Sequence, residues 1–157
     1  MPNITFLFLY LPFSMQPTKF TIRVYGILIN DKSEVLLADE VVNGRHLTKF
    51  PGGGLELGEG PADCLVREFR EETGQQVEVV SHLYTTHFFI QSLINPEHQF
   101  IGIYYRVSSA ATEQIIIGKQ TDNITFKWVS LFALDENDVT FESDKTVVRL
   151  LSLPSRA

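Results

Sequence analysis

The sequence predicts a single α/β domain. Three observations carry that expectation: runs rich in β-branched and aromatic residues, a glycine-rich stretch leading into an apolar-striped helix at residues 61–73, and a second apolar-striped stretch near the C-terminus. Residues 20–30 read as a strand, because Val, Ile, Thr, Tyr and Phe suit a pleated, half-buried surface. Asn30-Asp31-Lys32 is turn chemistry and residues 34–38 resume as a second strand, which predicts a hairpin. Residues 41–49 are expected to form a connecting loop that turns at Asn43-Gly44. Next comes Phe50-Pro51-Gly52-Gly53-Gly54, whose three glycines are too free for an ordinary strand or helix interior.

Gly60-Pro61 opens the clearest helix, since proline at the first helical position loses no hydrogen bond. Ala62, Leu65, Val66 and Phe69 fall at i, i+3, i+4 and i+7, a core-facing stripe, and Gly74 is a left-handed cap. Residues 77–90 and 99–107 read as extended, 108–122 as polar loop around Ile115-Ile116-Ile117, and 124–129 as another strand. Residues 131–137 suit a helical turn, and 144–153 a final helix with Val147, Val148, Leu150 and Leu151 as its apolar positions.

Composition narrows the function classes. A chain of 157 residues can bury roughly 70% of the surface its unfolded form exposes, enough for a core without disulfides. The net charge of -6, from 13 Lys and Arg against 19 Asp and Glu, disfavours a duplex nucleic-acid footprint. It leaves open a small anionic substrate, because bound cations reverse the local field. Cys64 is the only cysteine, so a cysteine zinc site is excluded and a reducing cytoplasm is the expected compartment. Residues 4–13 are apolar but interrupted by Pro12, too short to cross a bilayer, and they lack the basic flank and cleavage site of a signal peptide. Three readings of that stretch stand open: a packed extra strand, a surface or dimer contact, or residues upstream of a true start at Met15. The expected division is an extension over 1–19 and one domain over 20–157.

The helix at 61–73 breaks a local rule. Glu68, Glu71 and Glu72 cluster on one side, beside the apolar stripe. Like charges at such spacings cost about 0.2–0.5 kcal/mol each. Glu71 and Glu72 also sit in the last turn, where the helix dipole disfavours anions. A hard divalent cation would reverse that balance, since Mg²⁺ and Mn²⁺ prefer carboxylate oxygens. The alternative is a solvated face, supported by Arg67 and Glu71 at i, i+4. The preceding loop favours the cation: its glycines let backbone approach a ligand, and Glu56 and Glu59 add acidity.

Gly53-Gly54-Leu55-Glu56-Leu57-Gly58-Glu59, seven further residues, then Arg67-Glu68-Phe69-Arg70-Glu71-Glu72-Thr73-Gly74 resembles the Nudix box, G-x5-E-x7-R-E-U-x-E-E-x-G-U, with U a bulky apolar residue. Every charged and glycine position matches; the last apolar position is Gln75 instead. Trp128-Val129-Ser130-Leu131 extends the resemblance over about residues 20–153. It implies an α/β/α sandwich with a mixed sheet between helices. It implies Glu68, Glu71, Glu72 and the Gly52 carbonyl as ligands of Mg²⁺ or Mn²⁺, and Glu59 with Arg67 as a supporting pair. Glu68, Glu72, Arg67 and Glu59 are thereby the expected catalytic set. Family members differ in the general base: Glu68 is one candidate, and the later acids Glu113 and Asp122 are others, because Lys127 stands where many members carry an acid before the late tryptophan.

The implied reaction is hydrolysis of a diphosphate linkage in a nucleoside diphosphate joined to another group, such as a sugar nucleotide or an ADP-ribose-like compound. Arg23, Arg45 and Lys49 are candidate substrate contacts, with Lys119 a further phosphate candidate; each is also readable as a surface charge. The proline that members acting on ADP-ribose often carry past the box is missing, the nearest being Pro96. Asp39 and Glu40 stand where some triphosphate-directed members carry arginine, which weakens the alternative of a nucleoside triphosphate pyrophosphohydrolase. A non-catalytic nucleotide-binding module is the alternative of another class. The expected partner is a small nucleotide derivative, with no duplex nucleic acid, no membrane and a homodimer as an open option. Cys64 reads as a small helix residue, a thiolate being too soft for Mg²⁺. The four histidines show no zinc-like spacing, and Phe88, Phe89, Phe100, Tyr104 and Tyr105 are readable as stacking on a base, with core packing as their default role.

Overall fold

The first strand, β1 (Lys19–Leu28), organises the sheet around it in the computed structural model, which describes residues 16–115 and 123–152. β1 runs parallel to β6 (His98–Ser108) on one side and antiparallel to the short β4 (Gly52–Gly54) on the other. β5 (Glu78–Thr85) completes a mixed sheet of order β4-β1-β6-β5. A second, antiparallel sheet takes the order β3-β2-β7, from β2 (Glu34–Val42), β3 (Arg45–Lys49) and β7 (Ile124–Ser130). Two helices flank them: α1 (Pro61–Thr73) and α2 (Glu142–Leu151).

Strand alternation assigns the two faces. Val24 and Leu28 of β1, with Leu36 and Ala38 of β2, pack with Cys64, Leu65 and Phe69 of α1. Their neighbours Tyr25 and Ile27, with Val35 and Leu37, pack with Val147 and Val148 of α2. The strands are therefore sandwiched between helices, as the resemblance implies, and each fully buried large side chain contributes about 1.5–3 kcal/mol. The order of strands and helices follows the sequence reading, with six differences.

β1 and β2 do not form a hairpin. The expected turn exists: the Asn30 side chain accepts from the Lys32 and Glu34 amides, both at 3.0 Å. Beyond one bridge, Ile29 to Val35, the strands diverge into different sheets, because β1 finds ten partners in β6 and β2 finds seven in β7. Residues 41–49 are not a loop. β2 continues to Val42 and β3 pairs back on it, across a tight turn in which Asn43 and Gly44 both have positive φ (51° and 74°), the geometry of a hairpin turn. The three glycines are strand, held by pairing to β1 at Arg23, Val24 and Tyr25. Ala62 is exposed rather than part of the core stripe, and Cys64 is buried in its place. The extended stretch after α1 stops at Thr85, and α2 begins at Glu142. Residues 1–15, with the apolar stretch and Met15, lie outside the described residues, as do Lys119 and Asp122. No helix among the described residues is long and apolar enough to cross a membrane.

Asp144 is the most deeply buried acid of α2, fully enclosed, and it accepts from the Tyr104 hydroxyl at 2.6 Å. Burial pushes its carboxyl up to about 7 from an ordinary 3.8, against the pull of Tyr104 and Lys49. The native state thus binds a proton that the unfolded chain releases between those two values, so this group's contribution to stability falls as pH rises from about 4 to about 7. The full swing is on the order of 4 kcal/mol. Asp144→Asn should flatten that slope and be the more stable protein above pH 7, as measured by denaturant unfolding across pH. An unchanged slope would mean that Asp144 titrates normally.

Candidate active site

α1 starts where Pro61 needs no hydrogen bond and the Asp63 carboxylate accepts the Gly60 amide at 3.1 Å. It ends at Gly74, which turns left-handed (φ 72°) and donates to the Arg70 carbonyl at 3.0 Å. With Leu65 and Phe69 fixed in the core, the helix has no rotational freedom. Arg67, Glu68 and Glu72 must then lie at the border between core and solvent, against the glycine strand β4.

Arg67 ties the loop to the helix. Its Nε and Nη2 donate to the two Glu59 oxygens at 3.0 and 2.6 Å, a bidentate pair, and Nη2 also donates to the Gly54 carbonyl at 3.1 Å. Nη1 donates to Glu68 at 2.9 Å and to Glu71 at 3.3 Å. The Arg67–Glu71 contact of the solvated-face reading is present, but it is the longest of the five that Arg67 makes to oxygen. Arg67 beside Glu59 holds that carboxyl down at about 2, helped by the Glu56 amide. The same pairing raises Arg67 above its ordinary value. Cys64, buried under this pair, is pushed up to about 12 by burial and by Glu59, so its thiol stays protonated.

Two glycines set the acids. Gly53 lies so close to Glu68 that a Cβ there would fall 2.2 Å from the carboxylate. Gly52 holds φ at 137°, a value that L side chains rarely adopt, with the Val24 carbonyl 2.1 Å from where a Cβ would stand. Its amide donates to Glu72 at 3.3 Å and its carbonyl accepts from Lys49 at 3.4 Å. Burial pushes Glu72 up to about 7; Lys49 opposes the rise and the Glu68 charge adds to it. Glu71 is exposed.

The donor set suits a hard cation. Three carboxylates and a carbonyl are oxygen donors only, and Glu72 is half-buried beside like charge, an arrangement that a cation would relieve. Among the described residues, however, no three acids, histidines or thiols converge as a ready metal cage. Arg67 draws Glu68 and Glu71 toward itself, while Glu72 turns to the Gly52 amide.

Beside the glycine strand lies a cleft of about 550 Å³. β1 contributes Thr21, Arg23 and Tyr25, β2 and β3 contribute Glu40 and Lys49, and Phe100 with Phe141 supply aromatic walls. Arg23 and Lys49 thus line one cavity. Arg45 does not join them: it is exposed at the start of β3 and outside the cleft lining. Glu113 is exposed on a 3-10 turn, Thr112–Gln114, and does not line the cleft. Sequence reasoning missed Glu40 as a cleft residue, as it missed Gln91 and the stretch from Thr140 to Ser143. For β1 the signal was present, since Thr21, Arg23 and Tyr25 alternate at the period of a strand face. Gln91 and residues 140–143 come from loops whose placement no periodicity marks.

The NUDIX domain family model matches residues 19–151. An RNA pyrophosphohydrolase of Acinetobacter baylyi is 40% identical over 58 residues, covering 35% of this chain and 34% of that protein. The 8-oxo-dGTP diphosphatase of Escherichia coli is 37% identical over 51 residues, covering 31% and 40%. The chain therefore spans well under half the length of these two relatives. A NUDIX hydrolase structure from Nitrosomonas europaea superposes with a TM-score of 0.66 at 18% identity, over 83% of this chain and 87% of that one. A MutT protein structure from Methanosarcina mazei Go1 gives 0.66 at 20% identity, over 85% and 94%. These solved structures share the fold, and the family match spans both the glutamate helix and the sheets around it: the chain belongs to the Nudix hydrolase family.

Proposed function

We propose that this protein hydrolyses, with Mg²⁺ or Mn²⁺, the diphosphate linkage of a nucleoside diphosphate joined to another group. The observation that carries the reading is Gly52, whose amide holds Glu72 and whose carbonyl meets Lys49 of the cleft. One residue thereby joins the acidic helix to a cavity large enough for a nucleoside.

Glu68, Glu71, Glu72 and the Gly52 carbonyl would hold the metal. When bound, such an ion neutralises charge on the phosphoryl oxygens and lowers the pKa of a water. Glu68 is our candidate for accepting the proton of the attacking water, with Arg67 fixing its carboxylate at 2.9 Å. Arg67 and Glu59 position the helix against β4. Arg23 and Lys49 attract the anionic end of the substrate, and the aromatic walls of the cleft suit a base.

A second reading, hydrolysis of a nucleoside triphosphate, is favoured by the name of the Escherichia coli relative. Against it stand two acids, Asp39 and Glu40, in the second half of β2, with Glu40 lining the cleft. A panel of sugar nucleotides, ADP-ribose and nucleoside triphosphates, each with Mg²⁺ and Mn²⁺, separates the readings. The expected result is release of a nucleoside monophosphate from a diphosphate derivative, abolished by chelator. Faster turnover of a triphosphate would favour the second reading, and no release from any compound would leave a binding module.

A further inference from the structure

Lys49 is the only Lys or Arg that is buried among the described residues, at 3% exposure. Its ammonium has three donors. One meets Glu40 at 2.9 Å and another reaches the Gly52 carbonyl at a long 3.4 Å. Arg23 lines the same cleft, and its Nε is buried with no hydrogen-bond partner. An unpaired buried donor on a charged group is costly, and a native protein that retains one calls for an explanation.

Both cations sit at the same end of the cleft. Arg23 pairs in register with Gly54, and Lys49 reaches Gly52, so both border the strand that carries the acidic helix. A ligand that completes both must be anionic and offer several oxygens, as a phosphate does. Of the two acids in the lining, Glu142 is engaged by Lys145 at 2.8 Å, whereas Glu40 is the partner of Lys49 itself.

We infer that Arg23 and Lys49 form a two-cation grip for a substrate phosphate at the box end of the cleft, and that Glu40 is an internal counter-ion competing with that phosphate for Lys49. The inference rests on the cleft being the substrate site. It gives Glu40 a role opposite to that of an ordinary site residue: its charge weakens substrate binding, and it holds Lys49 in place while the cleft is empty. A triphosphate tail, with its larger charge, meets that carboxylate more unfavourably than a diphosphate linkage does. The device thus biases the site toward less charged substrates.

Binding of inorganic pyrophosphate with Mg²⁺, followed by calorimetry, tests the grip without any turnover. Glu40→Gln should bind pyrophosphate roughly tenfold tighter than the parent, and Lys49→Gln and Arg23→Gln roughly tenfold weaker, because buried charge pairs couple strongly. The tightening should vanish in the Glu40→Gln/Lys49→Gln double variant. A merely structural ion pair has the opposite signature: Glu40→Gln would bind no tighter and would only melt earlier. Should Lys49→Gln fail to fold, Glu40→Gln and Arg23→Gln still decide, since Glu40 is the more exposed partner, at 24% for its side chain. Equal or weaker binding by Glu40→Gln overturns the grip whatever the enzyme turns over. Failure of every nucleotide in the activity panel overturns the proposed reaction and leaves the pyrophosphate result standing.

Discussion

Glu72→Gln is expected to lower turnover by about 10²-fold or more, the scale on which single charge-stabilising groups act, while leaving the protein at least as stable as the parent. The two effects have one cause. Glu72 is an acid driven toward a raised pKa by burial and by Glu68, so its ionised form is a load on the fold. The sign follows from linkage: a carboxyl whose folded value lies above its unfolded value contributes less stability as pH rises. Glutamine keeps the acceptor for the Gly52 amide, at 3.3 Å in the parent, and sheds the charge. The same change would remove one charge from the proposed ligand set. Glu71→Gln should lose turnover too, with stability unmoved because Glu71 is exposed. Thermal unfolding at pH 8 beside turnover with Mg²⁺ checks both. Near-normal rates in both variants would remove these acids from the chemistry.

Two adjacent glycines should fail in different ways. Gly52→Ala places a methyl 2.1 Å from the Val24 carbonyl at a φ of 137°, and main chain cannot step aside. The expected loss is on the order of 3 kcal/mol of stability, from strained backbone and overpacking together. At Gly53 the obstacle is the Glu68 carboxylate, 2.2 Å away, which is the far end of a side chain able to rotate. Gly53→Ala should fold and yet lose most of its activity, because Glu68 must leave its place beside Arg67. Equal melting temperatures for the two variants, or full activity in Gly53→Ala, would contradict this assignment.

The contrast shows what was readable from the residues. α1 was legible to the residue, because proline, an apolar stripe and a capping glycine are all local signals, and the structure keeps the bounds Pro61–Thr73. The Arg67–Glu59 pairing was legible through the family resemblance. β3 was not: Arg45, His46, Leu47, Thr48 and Lys49 show little apolar alternation, and their pairing is supplied by β2. The glycine strand was hidden for a similar reason, since its partner in β1 lies about thirty residues upstream in a sequence that no local propensity connects to it. The separation of β1 from β2 depends on competition between strands. Turn chemistry at Asn30 predicts a reversal but cannot say which sheet each arm will join. Glu40 was read only as an arginine that is missing. Its role in the cleft appeared once β2 and β3 placed it 2.9 Å from Lys49.

The direct test is a titration of Mn²⁺ into the protein with inorganic pyrophosphate present, followed by electron paramagnetic resonance of the free ion. Saturable uptake by the parent chain, lost in Glu68→Gln and Glu72→Gln variants that remain folded, is the expected result. No uptake by the parent, or equal uptake by parent and variants, would contradict the assignment of these glutamates as the cation's ligands.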